Sequence, residues 1–169
     1  SYGPFGKGDV DRITISSTGS FTFPNCESSV EFNGGSTVPD GEVVLSRLHV
    51  LPNEIPTNAI NYGGYFILNN YGVNAEFDSE SFFLKPHNLA VPPANWTTVL
   101  YARDENEHEN NWSNECNAFS ASALGFNFGT DCNPHEAQQL FPISDQYVST
   151  IENDEEQDFA VYPNPVVNN

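Results

Sequence analysis

Short runs of alternating polar and apolar residues fill most of the chain, with turn-forming residues between them. Residues 11–16 (Asp-Arg-Ile-Thr-Ile-Ser) and 20–23 (Ser-Phe-Thr-Phe) alternate with a period of two, which is typical of half-buried strands. Similar or mostly apolar runs follow at 29–32, 42–51, 65–69, 81–85, 96–103, 116–121 and 124–128. Asn33-Gly34-Gly35 and Pro39-Asp40-Gly41 are typical turn sequences. The pattern predicts an all-β protein, folded as a two-sheet antiparallel β-sandwich or jelly roll.

Helical character is confined to residues 134–140, which could form one or two turns before Pro142. Trp96 begins the alternating run at 96–103, and this position predicts a core residue. Hydrophobic residues make up 38% of the 169 residues and aromatic residues 13%, which is enough to build one core.

The chain is strongly acidic, because 23 Asp and Glu face only five Lys and Arg, for a net charge of −18. Such a chain repels phosphate backbones and anionic lipid, so nucleic acid and membrane surfaces are excluded as partners. It also lacks an apolar run of about 18 residues, so no membrane insertion is expected. The charge is compatible with divalent cations; the other interpretation is that it only keeps the protein soluble.

The composition changes after residue 151. Residues 152–158 hold five acidic side chains and no hydrophobic one, which predicts an extended, solvated linker. The division predicted from this is a β-sandwich module at 1–151, an acidic linker at 152–158 and a separate tail at 159–169.

The tail contains Tyr162-Pro163-Asn164-Pro165, preceded by apolar residues. It resembles the opening of the C-terminal sorting domain of cargo proteins exported by the type IX secretion system of Bacteroidetes. The resemblance implies a secreted or cell-surface protein of an outer-membrane-bearing bacterium, with the type IX machinery as a partner of the tail. Residues 159–169 would be a truncated start of that domain; a proline-rich spacer with a turn at Pro163-Asn164 is the alternative. Residues 62–75 also resemble a strand and turn of the accessory β domains that precede such sorting domains, which implies an architecture but no activity.

Three cysteines are present, at positions 26, 116 and 132. None forms a C-x-x-C pair or has a histidine at zinc-finger spacing. A disulfide between Cys116 and Cys132 is predicted, which would close a loop of about 15 residues and contribute roughly 3 kcal/mol. Cys26 would then be left over, unless it pairs with one of the other two.

No nucleophile elbow, zinc-protease, P-loop or dinucleotide-binding motif occurs, so a non-enzyme that requires no cofactor is predicted. A small secreted hydrolase or lyase remains an alternative. Two acidic loops are candidates for structural calcium, since hard cations bind loop oxygens. Their proposed ligands are Asp9 and Asp11 in the first loop, and Asp104, Glu105 and Glu107 in the second. Solvated acidic turns are the other interpretation.

Aromatic residues in polar or glycine-rich surroundings are candidate platforms for sugar rings. Trp112 lies among asparagines, and Tyr62 and Tyr71 lie in glycine-rich turns, although aromatic residues of β domains are more often core. The predicted function is a non-catalytic extracellular or cell-surface accessory or interaction module, with an extracellular glycan or protein as partner. The alternative is a carbohydrate-binding module of a secreted polysaccharide-degrading enzyme.

Overall fold

The computed structural model describes residues 8–56, 60–93, 95–129 and 136–145. In these ranges it contains twelve β-strands and no helix, which confirms the predicted all-β class. The strands are β1 (Gly8–Ile15), β2 (Gly19–Phe23), β3 (Ser28–Phe32), β4 (Gly41–Leu48), β5 (Ile60–Asn61), β6 (Tyr65–Asn70), β7 (Ser81–Leu84), β8 (Thr97–Asp104), β9 (Ser113–Asn117), β10 (Ser120–Ser122), β11 (Gly125–Gly129) and β12 (Gln138–Asp145). The part of the chain that the structure describes therefore has no helix that could cross a membrane.

The strands form two antiparallel sheets, which confirms the predicted sandwich. The first sheet has the order β1-β4-β6-β12-β8-β9, and β5 also pairs with β12. The second sheet has the order β10-β11-β7-β3-β2. The chain passes between the sheets at both sides of the sandwich, from edge strand β1 to edge strand β2 and from edge strand β9 to edge strand β10.

Phenylalanine rings fill the space between the sheets. Phe23 stacks on Phe82 within the second sheet, with ring centroids 6.4 Å apart. Phe66 of the first sheet and Phe126 and Phe128 of the second are completely buried. Burying each such side chain contributes about 1.5–3 kcal/mol, so this alternation of inward rings is the main source of cohesion between the sheets.

The first sheet is also buried on part of its outer face. Val99, Phe141 and Ile143 are almost inaccessible, although their neighbours Leu100 and Leu140 point into the core. Successive side chains of a strand point to opposite faces, so β8 and β12 are buried on both sides. Such strands have long apolar stretches instead of a clean alternation.

The helical interpretation of residues 134–140 was wrong for residues 136–140, the part of that segment that the structure describes. Residues 136 and 137 form a bend, and Gln138–Asp145 form β12 in the middle of the first sheet. Proline is unusual in a central strand because it has no N–H to donate. Here Pro142 pairs with Leu100 on one side, but on the other side it falls between the β6 and β5 pairings. The interruption between β5 and β6 therefore accommodates the missing donor.

The predicted strand at 116–121 is divided between the two sheets. β9 ends at Asn117 and β10 begins at Ser120, so Ala118 and Phe119 form the corner where the chain changes sheets. The predicted domain boundary at residue 151, the acidic linker and the tail with Tyr162, Pro163, Asn164 and Pro165 lie outside the described residues. They remain predictions.

Candidate ligand-binding groove

A groove of about 730 Å³ lies at the corner between β9 and β10, beside the start of β8. This volume falls within the usual range for a ligand-binding cleft, about 300–1,000 Å³. The described residues that line it come from three segments: Val91, Pro92, Pro93 and Trp96 before β8; Thr97 and Thr98 in β8; and Asn117, Ala118, Phe119, Ser120 and Ala121 at the corner.

Phe119 is the most prominent side chain of the corner. It is 67% exposed. Its ring lies against Gly129 of β11, because a Cβ atom on that glycine would come within 3.5 Å of the ring atom Cδ2. The backbone of the second sheet therefore supports the ring on one side, while most of its surface faces solvent. Exposed aromatic rings with such support are suited to stacking against a ligand.

Backbone hydrogen bonds hold the corner in place. The N–H of Ala118 donates to the carbonyl of Thr98 in the first sheet at 2.7 Å. The N–H of Phe119 donates to the carbonyl of Asn127 in the second sheet at 2.8 Å. Because the two bonds reach different sheets, the backbone of Phe119 is fixed by the framework of the sandwich, and little backbone entropy remains to be lost on binding.

The opposite rim is stiffened by its prolines. Pro92 and Pro93 have fixed φ angles, and the N–H of Trp96 donates to the carbonyl of Pro93 at 3.0 Å, which closes a turn. Trp96 is half-buried and lines the groove, so the expectation that it is simply a core residue was incomplete.

The described lining carries no charged side chain, although the whole chain has a net charge of −18. Its residues with polar side-chain groups are Trp96, Thr97, Thr98, Asn117 and Ser120. The hydroxyl of Thr98 already bonds the hydroxyl of Ser144 at 2.8 Å. A neutral ligand with both apolar and hydrogen-bonding surface would match this lining.

Tyr62, predicted as an exposed platform, is instead a core residue. It is only 2% exposed, its ring lies 5.1 Å from that of Phe126, and its hydroxyl bonds that of Ser144 at 2.5 Å. Burial raises the pKa of its hydroxyl. A ring enclosed between the sheets cannot stack on an extracellular sugar. The prediction was wrong because glycine-rich local sequence does not determine whether a side chain is exposed.

Trp112 is half-buried on the outer face of the first sheet. Its indole N–H donates to the carbonyl of Glu54 at 2.6 Å, and its ring lies 5.6 Å from that of Phe141. The guanidinium carbon of Arg103 lies 4.1 Å from its ring centroid. Arg103 therefore covers one face of the indole on which a sugar would stack. Tyr71 is 65% exposed, in the turn after β6. Thus Tyr62 and Trp112 lie on opposite faces of the first sheet, and none of the three lines the groove.

The first predicted calcium loop uses its carboxylates internally. One oxygen of Asp9 accepts hydrogen bonds from Nε of Arg47 at 2.8 Å and from Nε2 of His49 at 2.9 Å. The carboxylate of Asp11 accepts the N–H groups of Asn25 and Cys26 at 3.1 and 2.8 Å. Asp11 is buried, so it acts as a cap for the turn between β2 and β3.

The second predicted calcium loop is also engaged with itself. Asp104 accepts a backbone N–H of its own loop, and Glu107 accepts two. The hydrogen bond from Asn111, followed by these two backbone bonds, lowers the pKa of Glu107. Glu105 accepts a hydrogen bond from Asn69 at 2.8 Å. Among the described residues, no three His, Cys, Asp or Glu side chains are placed to hold one metal ion. Structural calcium remains a prediction for which neither loop offers a ready cluster.

The cysteines are placed differently from one another. Cys26 is a free, buried thiol, and burial together with the neighbouring Asp11 raises its pKa to about 12. Cys116 is half-buried on β9, whereas Cys132 lies outside the described residues. The Cys116–Cys132 disulfide therefore remains a prediction.

Sequence reasoning did not identify the most connected polar residue, Arg47. Its guanidinium pairs with Asp9 at 2.7 Å and Glu27 at 3.1 Å, and donates to the carbonyls of Cys26 and Lys85. Burial opposes its charge, but the bonds and attraction from the two carboxylates outweigh burial and raise the pKa of Arg47. We call these five residues the Arg47 network. It joins β1 and β4 to the turn between β2 and β3 and to the end of β7.

Two histidines lie beside the Arg47 network. The imidazoles of His49 and His87 stack at a centroid separation of 3.5 Å and an interplanar angle of 12°. Burial, and then the proximity of His49 and Arg47, lowers the pKa of His87. Since these rings face each other and not a common point, they are poorly arranged as joint metal ligands.

Comparisons of the chain with protein-family models, with curated proteins and with solved structures gave no match.

Proposed function

We propose that this chain is a non-catalytic interaction module, which binds an extracellular partner through the groove at the β9–β10 corner. The observation that carries the proposal is the groove itself. It is preformed, since backbone bonds to both sheets hold the corner and prolines stiffen the opposite rim. It presents the exposed ring of Phe119 beside several neutral polar residues.

The chemistry of the lining favours binding over turnover. General acid–base or nucleophilic catalysis needs a titratable group near the reacting atoms, such as histidine, carboxylate, cysteine or lysine. The described lining consists of apolar, hydroxyl and amide side chains. These groups hold and orient a ligand, and that is the task of an accessory module.

We also propose that the module is secreted or surface-attached, with residues 159–169 as the start of a type IX sorting domain. The support is the Tyr162-Pro163-Asn164-Pro165 sequence after an acidic linker. In a bacterium with this system, a reporter carrying the complete sorting region should reach the medium or the cell surface. Deleting residues 162–165 should retain the reporter inside the outer membrane. Export unaffected by the deletion would leave the proline-rich spacer as the better interpretation.

The binding proposal is tested with immobilised extracellular polymers, both polysaccharides and proteins. The wild-type protein should be retained on at least one polymer without releasing soluble products from it. Phe119→Ala should lose retention by about tenfold or more, the effect of losing about 1.4 kcal/mol of contact energy.

Leu124→Ala is the matched control, because Leu124 is a similarly exposed hydrophobic residue, 71% accessible, that does not line the groove. It should bind like the wild type. Retention on no polymer, or equal effects of the two substitutions, would refute the proposed function.

A further inference from the structure

We infer that the ligand of this groove is a neutral glycan, with Phe119 as the platform for one sugar ring. The inference rests on the proposed binding function and adds the chemical class of the ligand. It follows from three features of the described lining. The lining has no charged side chain, it combines apolar with hydroxyl-bearing residues, and the backbone N–H groups of its corner are already hydrogen-bonded.

The absence of charged side chains from the described lining of the groove selects against ionic ligands. The described lining has no lysine or arginine to pair with an anion, and the net charge of −18 repels anions at longer range. It also has no carboxylate to pair with a cation, and a charged group desolvated without a partner is costly. An uncharged ligand avoids both penalties.

The surface of the groove matches the two-sided character of a sugar. A pyranose has an apolar face of C–H groups and a rim of hydroxyls. The ring of Phe119, backed by Gly129, offers a flat apolar surface to such a face. Ser120 Oγ accepts a hydrogen bond from Asn127 at 2.8 Å, which leaves its hydroxyl hydrogen available to a ligand oxygen. Thr97 is also a lining residue of the groove.

The backbone is poorly prepared for an extended peptide. Peptides that add a strand to a sheet need a row of free N–H and C=O groups. At the corner, the N–H groups of Ala118 and Phe119 are already bonded to the two sheets. Edge strand β10 contributes only three residues, Ser120–Ser122. The corner therefore presents side chains instead of backbone, which favours a glycan over a peptide strand.

Calorimetric titration of the whole chain with soluble oligosaccharides tests the inference. The probes are neutral oligomers of glucose, xylose, mannose and N-acetylglucosamine, an anionic oligogalacturonate, and a proline-rich peptide. At least one neutral oligomer should bind, with affinity at least about tenfold higher than oligogalacturonate or the peptide. Phe119→Ala should weaken that binding about tenfold, while Phe119→Tyr, which keeps an aromatic face, and Leu124→Ala should stay within about twofold of the wild type.

Unfolding curves for each variant show whether a loss of binding reflects loss of the fold. Preference for the anionic oligomer, preference for the peptide, or binding of a neutral oligomer that is insensitive to Phe119→Ala would each overturn the glycan inference. If the groove retains a protein polymer but no neutral glycan, the inference fails and the proposed function stands. If it retains neither, both fail.

Discussion

Replacing Arg47 with methionine should be the most destabilising single substitution in the charged part of the molecule. The side chain of Arg47 is only 8% exposed and pairs with Asp9 and Glu27. It also donates to the carbonyls of Asn25, Cys26 and Lys85, at 3.2, 3.2 and 3.0 Å. Methionine keeps most of the apolar stem and removes every donor, so the change isolates the polar contribution.

The expected loss of unfolding free energy follows from what the substitution leaves behind. Removing one partner of a buried ion pair typically costs about 3–5 kcal/mol, because the remaining charge is uncompensated. The side chain of Asp9 is 28% exposed, so water recovers part of this cost, and we expect about 3 kcal/mol. That is a large part of the roughly 5–15 kcal/mol that stabilises a typical domain.

Urea unfolding followed by tryptophan fluorescence measures the effect. Arg12→Met is the matched control, because Arg12 pairs with Glu42 at 3.0 Å but the two side chains are 65% and 39% exposed. Such a surface pair contributes at most about 1 kcal/mol. Adding Asp9→Asn to Arg47→Met should recover part of the loss, since it removes the carboxylate charge that Arg47 neutralises. If Arg47→Met costs no more than Arg12→Met, the Arg47 network does not stabilise the fold and the reasoning is wrong.

Three further outcomes are expected. The pKa of His87 is lowered from 6.5 in the folded protein, so the unfolded state takes up a proton first as the pH falls. The free energy of unfolding should therefore be unaffected by this group above about pH 6.5 and should decrease below it. His87→Gln should flatten that decline in urea midpoints measured against pH, whereas the control substitution His108→Gln should not. The Cys26 thiol, with a pKa of about 12, should resist labelling at pH 8 in the folded protein and react in urea; rapid native labelling, detected by peptide mass, would contradict its burial. Trp112→Phe should cost about 1 kcal/mol through the lost bond to the Glu54 carbonyl and leave ligand binding unchanged; a loss of binding would restore Trp112 as a platform.

Local pattern predicted the strands that have one buried face. Residues 11–16 and 20–23 alternate because their inward positions, such as Ile15 and Phe23, are buried and their outward positions are exposed. β12 was missed because it is buried on both faces and includes two glutamines. Gln139 is buried by its partners, since Arg103 donates to its side chain at 2.9 Å and its amide bonds carbonyls of the loop at 104–111. Because these hydrogen-bond partners are distant in the sequence, no local pattern of residues indicates that Gln139 is buried.

The same limit explains the misplaced aromatic residues. Tyr62 meets Ser144, which lies 82 positions away, and Trp112 meets Glu54, 58 positions away. No local pattern encodes these contacts. Phe119 was overlooked because residues 116–121 read as one strand. Adjacent apolar residues such as Ala118 and Phe119 interrupt strict alternation, and one of them must face outward in a continuous strand. That irregularity was the available signal for the corner.

The two sides of the sandwich differ in how the sheets are joined, and this difference explains why the groove, and not the Arg47 network, is the better binding surface. At the turn between β2 and β3, the sheets are joined by side chains: Arg47, Asp9 and Asp11 use their polar atoms to satisfy one another and nearby backbone. At the β9–β10 corner, the sheets are joined by backbone bonds from Ala118 and Phe119. Side chains that hold a fold together are already committed, because a buried polar atom must keep its partner. At the corner the backbone carries that task, and the ring of Phe119, 67% exposed, is left for a ligand.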